Sequence, residues 1–303
     1  MSNTCPILSI VTVNYNGLAD TRAMIQSVMS HLQDLSFEII VVDNASRNDE
    51  AAQLQSAYAD NEHVQVIASA ENRGFAGGNN IGIREANGEY ILLLNNDTYI
   101  KDDGFSGMIQ WMRQHPQVGM LSPLLVYACD EHTIQYAGFT PLSSITLRNK
   151  GIGHGEPNNG QYAAPYRTAF AHGAALLFPK KLLETIGCMP ENYFLYYEEM
   201  DWCASLTRKG YEVWVDPRCV VYHLESRSTK VDSPLKIFYM TRNRLVYASR
   251  NLPMVNRWLS YIYQFAIVAP VVMCRHLTHR RADLARATWQ GVMAFVNLNT
   301  QTI

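Results

Sequence analysis

No two cysteines in this sequence stand at metal-ligand or redox spacing. The six (Cys5, Cys129, Cys188, Cys203, Cys219 and Cys274) are scattered with no CxxC pair. A disulfide framework or zinc cluster is therefore not expected, and a reducing, cytoplasmic compartment fits best. Net charge is small as well, −2 at neutral pH, which argues against a nucleic-acid binder held by bulk charge. The first residues, MSNTCPILSIVTV, have neither a basic n-region nor a cleavage site, so no signal peptide is expected. There is no tandem repeat or low-complexity tract. No GxGxxG fingerprint opens the chain: the glycine-rich ENRGFAGGNN has other spacing and follows the third expected strand, not the first. What the sequence does have is apolar residues, 48% of 303. That supplies a sizeable core for one large domain, or one domain with an extension.

The first half alternates strand and helix patterns. Apolar, β-rich runs at 7–13, 37–42, 64–68 and 90–94 are separated by helical spacing at 18–32, up to about Tyr58, and up to about Ala86. Such alternation with short connections predicts an α/β fold with a mostly parallel sheet covered on both faces. From about Tyr127 to Tyr166 the pattern loosens into a Gly-, Pro- and Asn-rich stretch, read as a long loop with room for a short hairpin. Beyond it, a small-residue strand is expected at 172–178 and helices at 180–186, 196–208 and 234–250. Two strand pieces are expected at 212–215 and 219–222.

Three expected strands end in polar clusters: Asn14-Tyr15-Asn16, Asp43-Asn44 and Asn95-Asn96-Asp97. Each alone is explained by helix capping or turn formation. Together, at the carboxyl ends of strands in an open α/β sheet, they mark one ligand site built from separate loops. Gly74, Gly77 and Gly78 would allow close backbone approach to a ligand, with an anion at the following helix N-terminus; a plain helix-start turn is the alternative.

The densest chemistry lies between Phe194 and Ser228. Glu198, Glu199 and Asp201 cluster at a helix start behind an aromatic run. The helix dipole explains carboxylates there, but a carboxylate beside aromatic walls can also have its pKa raised and act as a base near neutrality. His223, paired with Asp97 from another strand end, would suit an oxygen-rich divalent site of the Mg²⁺ or Mn²⁺ kind. Near the C-terminus, 258–274 carries no charge and is followed by Arg275, His276, His279, Arg280, Arg281 and Arg286. Such a helix suits the interface of an anionic membrane; a core or homodimer-interface helix is the alternative.

SIVTVNYNG, VVDNAS, ENRGFAGGNN, LLLNNDTYI, the YYEEMDWC segment and VYHLESRS occur in an order and spacing that resembles the family 2 glycosyltransferases. Within them the closest likeness is to the bacterial rhamnosyltransferase-like branch of cell-surface polysaccharide assembly. The resemblance covers about residues 6 to 250. It implies a GT-A fold over 1–250, with a nucleotide-sugar half at about 1–125 and an acceptor half at 126–250. A C-terminal helical extension, 251–303, would follow. It implies transfer with inversion from a nucleotide sugar, first dTDP-L-rhamnose and then a UDP-sugar, to a glycan or lipid-linked acceptor at the cytoplasmic membrane face. By the same resemblance, Val13, Asn14, Tyr15, Asn16, Asp43 and Asn44 hold the nucleoside. Arg73, Gly74 and Phe75 lie near the diphosphate. Asn95, Asn96 and Asp97 match the DxD triplet, with Asn in its first place, so Asp97 and His223 become the metal ligands. Glu199 takes the position of the catalytic Asp, with Glu198 and Asp201 as its alternates, and Arg242 lies near the diphosphate or acceptor. The competing readings are a catalytically inactive glycan-binding relative and a nucleotidyltransferase. Asn14-Tyr15-Asn16-Gly17 lacks the basic loop that the nucleotidyltransferase would need.

Overall fold

The computed structural model describes residues 5–224 and 233–300, so Glu225–Ser228 of the last motif lie outside the described residues. The chain begins with β1 (Leu8–Asn14), α1 (Leu18–His31), β2 (Phe37–Asp43), α2 (Glu50–Ala57), β3 (Val64–Ala68), α3 (Gly74–Glu85) and β4 (Tyr90–Leu94). β3, β2, β1 and β4 lie side by side and parallel. Their near-continuous apolar runs reflect burial on both faces. Period-two alternation sorts those runs. Leu8, Ile10, Ile39, Val41 and Leu92 face α1, whose Met24, Ile25 and Val28 repeat at helical spacing. Val11, Ile40, Val42 and Leu93 face the opposite layer, with Ala76 and Ile83 of α3.

Next come β5 (Thr98–Tyr99), α4 (Gly104–Gln114), β6 (Val118–Tyr127), β7 (Asp130–Tyr136), β8 (Tyr166–Arg167), β9 (Ala175–Pro179), a 3₁₀ turn (Lys180–Leu182), α5 (Leu183–Ile186), α6 (Glu198–Arg208) and β10 (Glu212–His223). They extend the same sheet in the order β3-β2-β1-β4-β9-β6-β10-β5. β9 runs antiparallel to β4, so the sheet is parallel on one side and mixed on the other. The segment at 127–166 is more ordered than its composition predicts: β7 pairs with β6, and a bridge joins Phe139 to Gly151. The two expected strand pieces after Arg208 are one strand. Its pairing with β6 shifts between Asp216 and Val220, where Pro217 interrupts the ladder and Arg218 folds back onto the Asp216 carboxylate.

Among the described residues four α-helices follow β10: α7 (Pro234–Asn251), α8 (Met254–Tyr263), α9 (Ala269–Thr278) and α10 (Ala282–Thr300). Ser233 caps α7 by accepting the Lys236 N–H, with Pro234 in the first turn. A π-helical turn, Gln264–Val268, joins α8 to α9, so Met254–Thr278 is one continuous helix. α10 packs closely on α7 at Gly291, where a Cβ would stand 2.7 Å from the Phe238 carbonyl oxygen.

Candidate active site

The first three polar clusters do meet. Parallel register sets Asn14 beside Asp43. The Asn14 amide donates to Asp43 Oδ2 (2.7 Å) and Glu50 Oε2 (2.9 Å), while its Oδ1 accepts from Thr21 Oγ1 (2.7 Å). Asn96, at the end of β4, donates to the same Thr21 hydroxyl (3.0 Å). Asn14, Thr21 and Asp43 are buried, so this network satisfies its own members and fixes the three strand ends together. Facing outward from it are Tyr15, 40% exposed, and Asn16, in the left-handed region at φ 54°.

Asn44 has a different task. Its amide donates to Asn72 Oδ1 and the Gly74 carbonyl, and its Oδ1 accepts the Arg73 N–H, each at 3.0 Å. It holds the loop that starts α3. The glycines of that loop approach the protein rather than open space, contrary to the anion-loop expectation. Gly74 (φ +70°) has its missing Cβ 2.2 Å from the Phe194 carbonyl oxygen, and Gly78 lies against Val13. Phe75 N–H donates to that Phe194 carbonyl (2.8 Å). Arg73 pairs with Glu191 (2.9 Å) at the surface.

The pairing of Asp97 with His223 rests on neighbouring strands. β5 runs antiparallel to the end of β10, with Thr98 opposite His223, and Leu224 N–H donates to the Asp97 carbonyl. Residues 126 positions apart in sequence are thereby set side by side: His223 Nε2 lies 3.2 Å from Asp97 Oδ1. On the other edge of the ring, Nδ1 lies 2.8 Å from Gln135 Oε1. An amide oxygen only accepts, so Nδ1 donates to it, and Nε2 is left facing the Asp97 carboxylate. A proton on Nε2 satisfies this contact as an ion pair, and a neutral imidazole with a carboxylate is also a ligand set for a divalent cation. Cis ligands on an octahedral ion with bonds of about 2.1 Å stand roughly 3 Å apart, close to this spacing. Among the described residues no group of three His, Cys, Asp or Glu side chains could hold a metal ion, so the pair fits an ion that takes its remaining ligands from water and substrate.

The turn before α6 is built unlike the rest. Phe194, Tyr196 and Tyr197 all have positive φ (67°, 70° and 78°), a conformation that costs of order 1–3 kcal/mol at each non-glycine residue. This is why α6 starts at Glu198, two residues later than its pattern predicts. Asn243 of α7, fully buried, offsets the strain: its amide reaches the carbonyls of Tyr193 (3.0 Å), Leu195 (2.7 Å) and Tyr196 (2.9 Å). Neighbouring Arg242 donates to the Asn192 carbonyl and lies over the Tyr239 ring.

The three acids of this segment separate clearly. Asp201 is fully buried and accepts from Tyr193 Oη (2.9 Å), Asn251 Nδ2 (2.8 Å) and Arg250. Its carboxylate ties α6 to α7, which corrects the expectation that it could serve as base. Glu198 is buried with Oε2 unpartnered. Burial, and then the Glu199 charge, hold its carboxyl well above the usual range. Glu199 is pushed up to about 7 by burial. Its carboxyl carbon lies 3.9 Å from the Cβ position of Gly173, and the Phe75 ring lies 3.4 Å from the same point.

The segment His172–Gly173–Ala174 connects Glu199 to the Asp97–His223 pair. Ala174 accepts the Asn95 N–H (2.9 Å), and the His172 ring stands 6.2 Å from that of His223. His172 is pushed down to about 3, first by burial, and stays neutral. Sequence reasoning missed Gln135, His172 and Gly173 as parts of this corner; Asn243 is named by the family resemblance only with Arg242, near the diphosphate or acceptor, not as a support of this turn. The His-Gly step ahead of a small-residue strand, and the Arg-Asn step inside α7, were the available signals.

Comparison with known proteins now bears on this corner. The family profile described as "Glycosyl transferase family 2" matches residues 9–187. A low-salt glycan biosynthesis hexosyltransferase of Haloferax volcanii is 27% identical over 80% of this chain and 78% of its own length. A dTDP-rhamnosyl transferase of Shigella flexneri is 24% identical over 80% and 79%. Among solved structures, GalNAc-T7 with UDP, GalNAc and Mn²⁺ superposes with a TM-score of 0.63 at 14% identity, over 90% of this chain but 58% of that one. The mannosyltransferase of Pyrobaculum calidifontis with GDP-Man and Mn²⁺ gives 0.59 at 14% identity, over 97% and 88%. These likenesses show the GT-A fold.

Proposed function

Because the chain belongs to glycosyl transferase family 2, we propose that this glycosyltransferase of glycan assembly works by inverting displacement, with Glu199 as its base. The Glu199 carboxylate takes the proton from an acceptor hydroxyl. The hydroxyl oxygen attacks the anomeric carbon, and the nucleoside diphosphate departs from the opposite face. Asp97 and His223 would hold a divalent ion, Mg²⁺ or Mn²⁺, which when bound neutralises charge on the departing diphosphate. Gln135 keeps His223 Nε2 directed at Asp97. Tyr15, Asn16 and Arg73 line the face left for the nucleotide, and the buried strand-end network keeps that face rigid. The observation that carries this reading is the position of Glu199: raised to about 7, it sits across Gly173, next in sequence to the His172 that neighbours the Asp97–His223 pair.

dTDP-L-rhamnose is the first donor to test and UDP-hexoses the second, since named relatives at similar coverage include a dTDP-rhamnosyl transferase and a hexosyltransferase. The catalytic unit is residues 1–250, with nucleotide and acceptor halves meeting near residue 125. Residues 251–303 form an extension that lies on the cytoplasmic face of the membrane. Support for that placement comes from Met254–Thr278, long and apolar enough to cross a membrane by length and composition, with only 17% of its most apolar window buried. Val255, Trp258, Leu259 and Ile262 are exposed along it, with Arg275 and Arg280 at its end.

The test is calorimetric titration with dTDP, UDP and GDP, each with Mn²⁺ and with EDTA. One nucleotide should bind tightly and lose that binding in EDTA. Binding indifferent to the metal would remove Asp97 and His223 from the ligand role, and binding of none would overturn the donor assignment. Full turnover by Glu199→Gln would overturn the base.

A further inference from the structure

A cavity of about 360 Å³ opens between α7, the α8–α9 helix and α10, away from the strand-end site. That volume is within the roughly 300–1,000 Å³ of small-molecule sites. Four cationic side chains line it: Arg148 from the loop after β7, Lys236 and Arg244 from α7, and Arg275 from α9. Among the described residues no carboxylate does, and none of the four forms an ion pair. Between the cations the wall is apolar, with Ile237, Met240, Val268 and Val272. On the same long helix, Ile267 and Val271 are exposed outside the cavity.

Four like charges around one cavity repel each other, and within the described fold no carboxylate answers them. An anion with several oxygens would relieve that repulsion. The apolar wall, continuing into an exposed apolar helix face, would be a poor match for a free ion and a good one for a hydrocarbon chain. We propose that this cavity seats the phosphate-bearing head of an anionic lipid, with its chain lying along the α8–α9 face. The cavity also adjoins the catalytic turn. Arg244 Nε donates to Tyr197 Oη (3.0 Å), and Lys236 Nζ lies 6.0 Å from the Tyr196 ring centroid. A lipid head seated here stands beside the turn that carries Glu199. This makes the lipid a carrier of the acceptor, a step that rests on the transferase reading, whereas lipid binding itself does not.

The experiment is flotation of the full chain with vesicles of phosphatidylcholine alone and with a minor fraction of phosphatidic acid. Wild type should bind the doped vesicles more tightly. Arg148→Gln with Arg275→Gln should lose that preference by roughly ten- to thirty-fold, the effect of two cations near an anionic surface. Val272→Phe, which fills the cavity and leaves every charge, should lose it too. Arg22→Gln with Arg84→Gln removes the same charge from α1 and α3, away from the cavity and the C-terminal helices, and should change little; an equal loss there would overturn the pocket in favour of diffuse attraction. Inorganic diphosphate binding in calorimetry as tightly as the doped vesicles would overturn the lipid. Nucleotide titration of the same proteins separates the two readings: lipid preference in a chain that binds no nucleotide would remove the transferase mechanism and leave the pocket standing.

Discussion

Two polar regions of this enzyme are built on opposite terms. At the ends of β1, β2 and β4, Asn14, Asp43, Thr21 and Asn96 answer one another through short hydrogen bonds, and the positive-φ residues of that region, Asn16, Ala45, Asn48 and Asp49, lie in the loops beyond them. At the turn before α6, three residues in a row of four are held at positive φ, a buried carboxylate oxygen has no partner, and a second carboxyl is pushed up to about 7. The first region is a support, at rest in its own hydrogen bonds. The second stores strain and unfavourable burial, and is held in place by groups from elsewhere in the chain. Chemistry is expected where the polar groups are not already satisfied.

Glu199→Gln should show the largest effect. A lost general base lowers kcat by roughly 10²–10⁴-fold, with nucleotide affinity unchanged by calorimetry. In wild type, the base is active only when deprotonated. Turnover should therefore rise about tenfold per pH unit below its value of about 7 and level off above it. Next, Asn243→Ala removes the amide shared by three carbonyls and should cost about 3 kcal/mol in urea denaturation, at about 1 kcal/mol per hydrogen bond. The comparison predicts a second consequence: kcat falls with it, because the turn relaxes. Asn14→Ala, in the self-satisfied network, should cost comparable stability without altering the pH profile of kcat; a changed profile would erase the distinction between the regions. Gln135→Leu frees the His223 tautomer and should weaken Mn²⁺-dependent nucleotide binding by roughly 10–100-fold. The smallest effect belongs to Glu198→Gln. A carboxyl raised in the folded state binds its proton more tightly there than in the unfolded chain. The stability this brings is full below the ordinary carboxylate value and is lost as pH rises through the folded value. The Gln variant should match wild type near pH 4 and exceed it by roughly 1–3 kcal/mol near pH 8.

The parallel half of the sheet was readable because its signals are local. Apolar runs, helical spacing and polar strand ends each lie within ten residues, and β1 to β4 follow them closely. Between Ile100 and Tyr127 the pattern reading assigned no element, although α4 and β6 lie there. β6 is buried on both faces and has no alternation to show. The stretch after Tyr127 carries loop composition, yet β7 pairs with β6 and Tyr136 is buried. In the site, Glu199, Asp97 and His223 were named from motif order, and their proximity came from pairings no local pattern records. Asp201 was misjudged for a related reason. Its partners, Arg250 and Asn251, lie some fifty residues away, and an acid next to two others looks alike whether it ends in a cleft or in an ion pair. Strain was invisible altogether, since nothing in Tyr193-Phe194-Leu195-Tyr196-Tyr197 announces a left-handed backbone.

The π turn between α8 and α9 sets the phase of the long C-terminal helix. From Val255 to Val271 its exposed large apolar residues are Val255, Trp258, Leu259, Ile262, Ile267 and Val271. The steps between them are three, one, three, five and four residues. Five is foreign to an α-helical stripe, and it falls where Ala269 N–H reaches back five residues to the Gln264 carbonyl. The wide turn absorbs one surplus residue. A helical wheel drawn at 3.6 residues per turn splits these side chains between two faces, whereas the π turn brings them back toward one line. Forcing 264–268 into plain α-helical turns with no residue removed would turn everything downstream by about 100°. Ile267 and Val271 would then leave that line, and Arg275 would leave the cavity it helps to line.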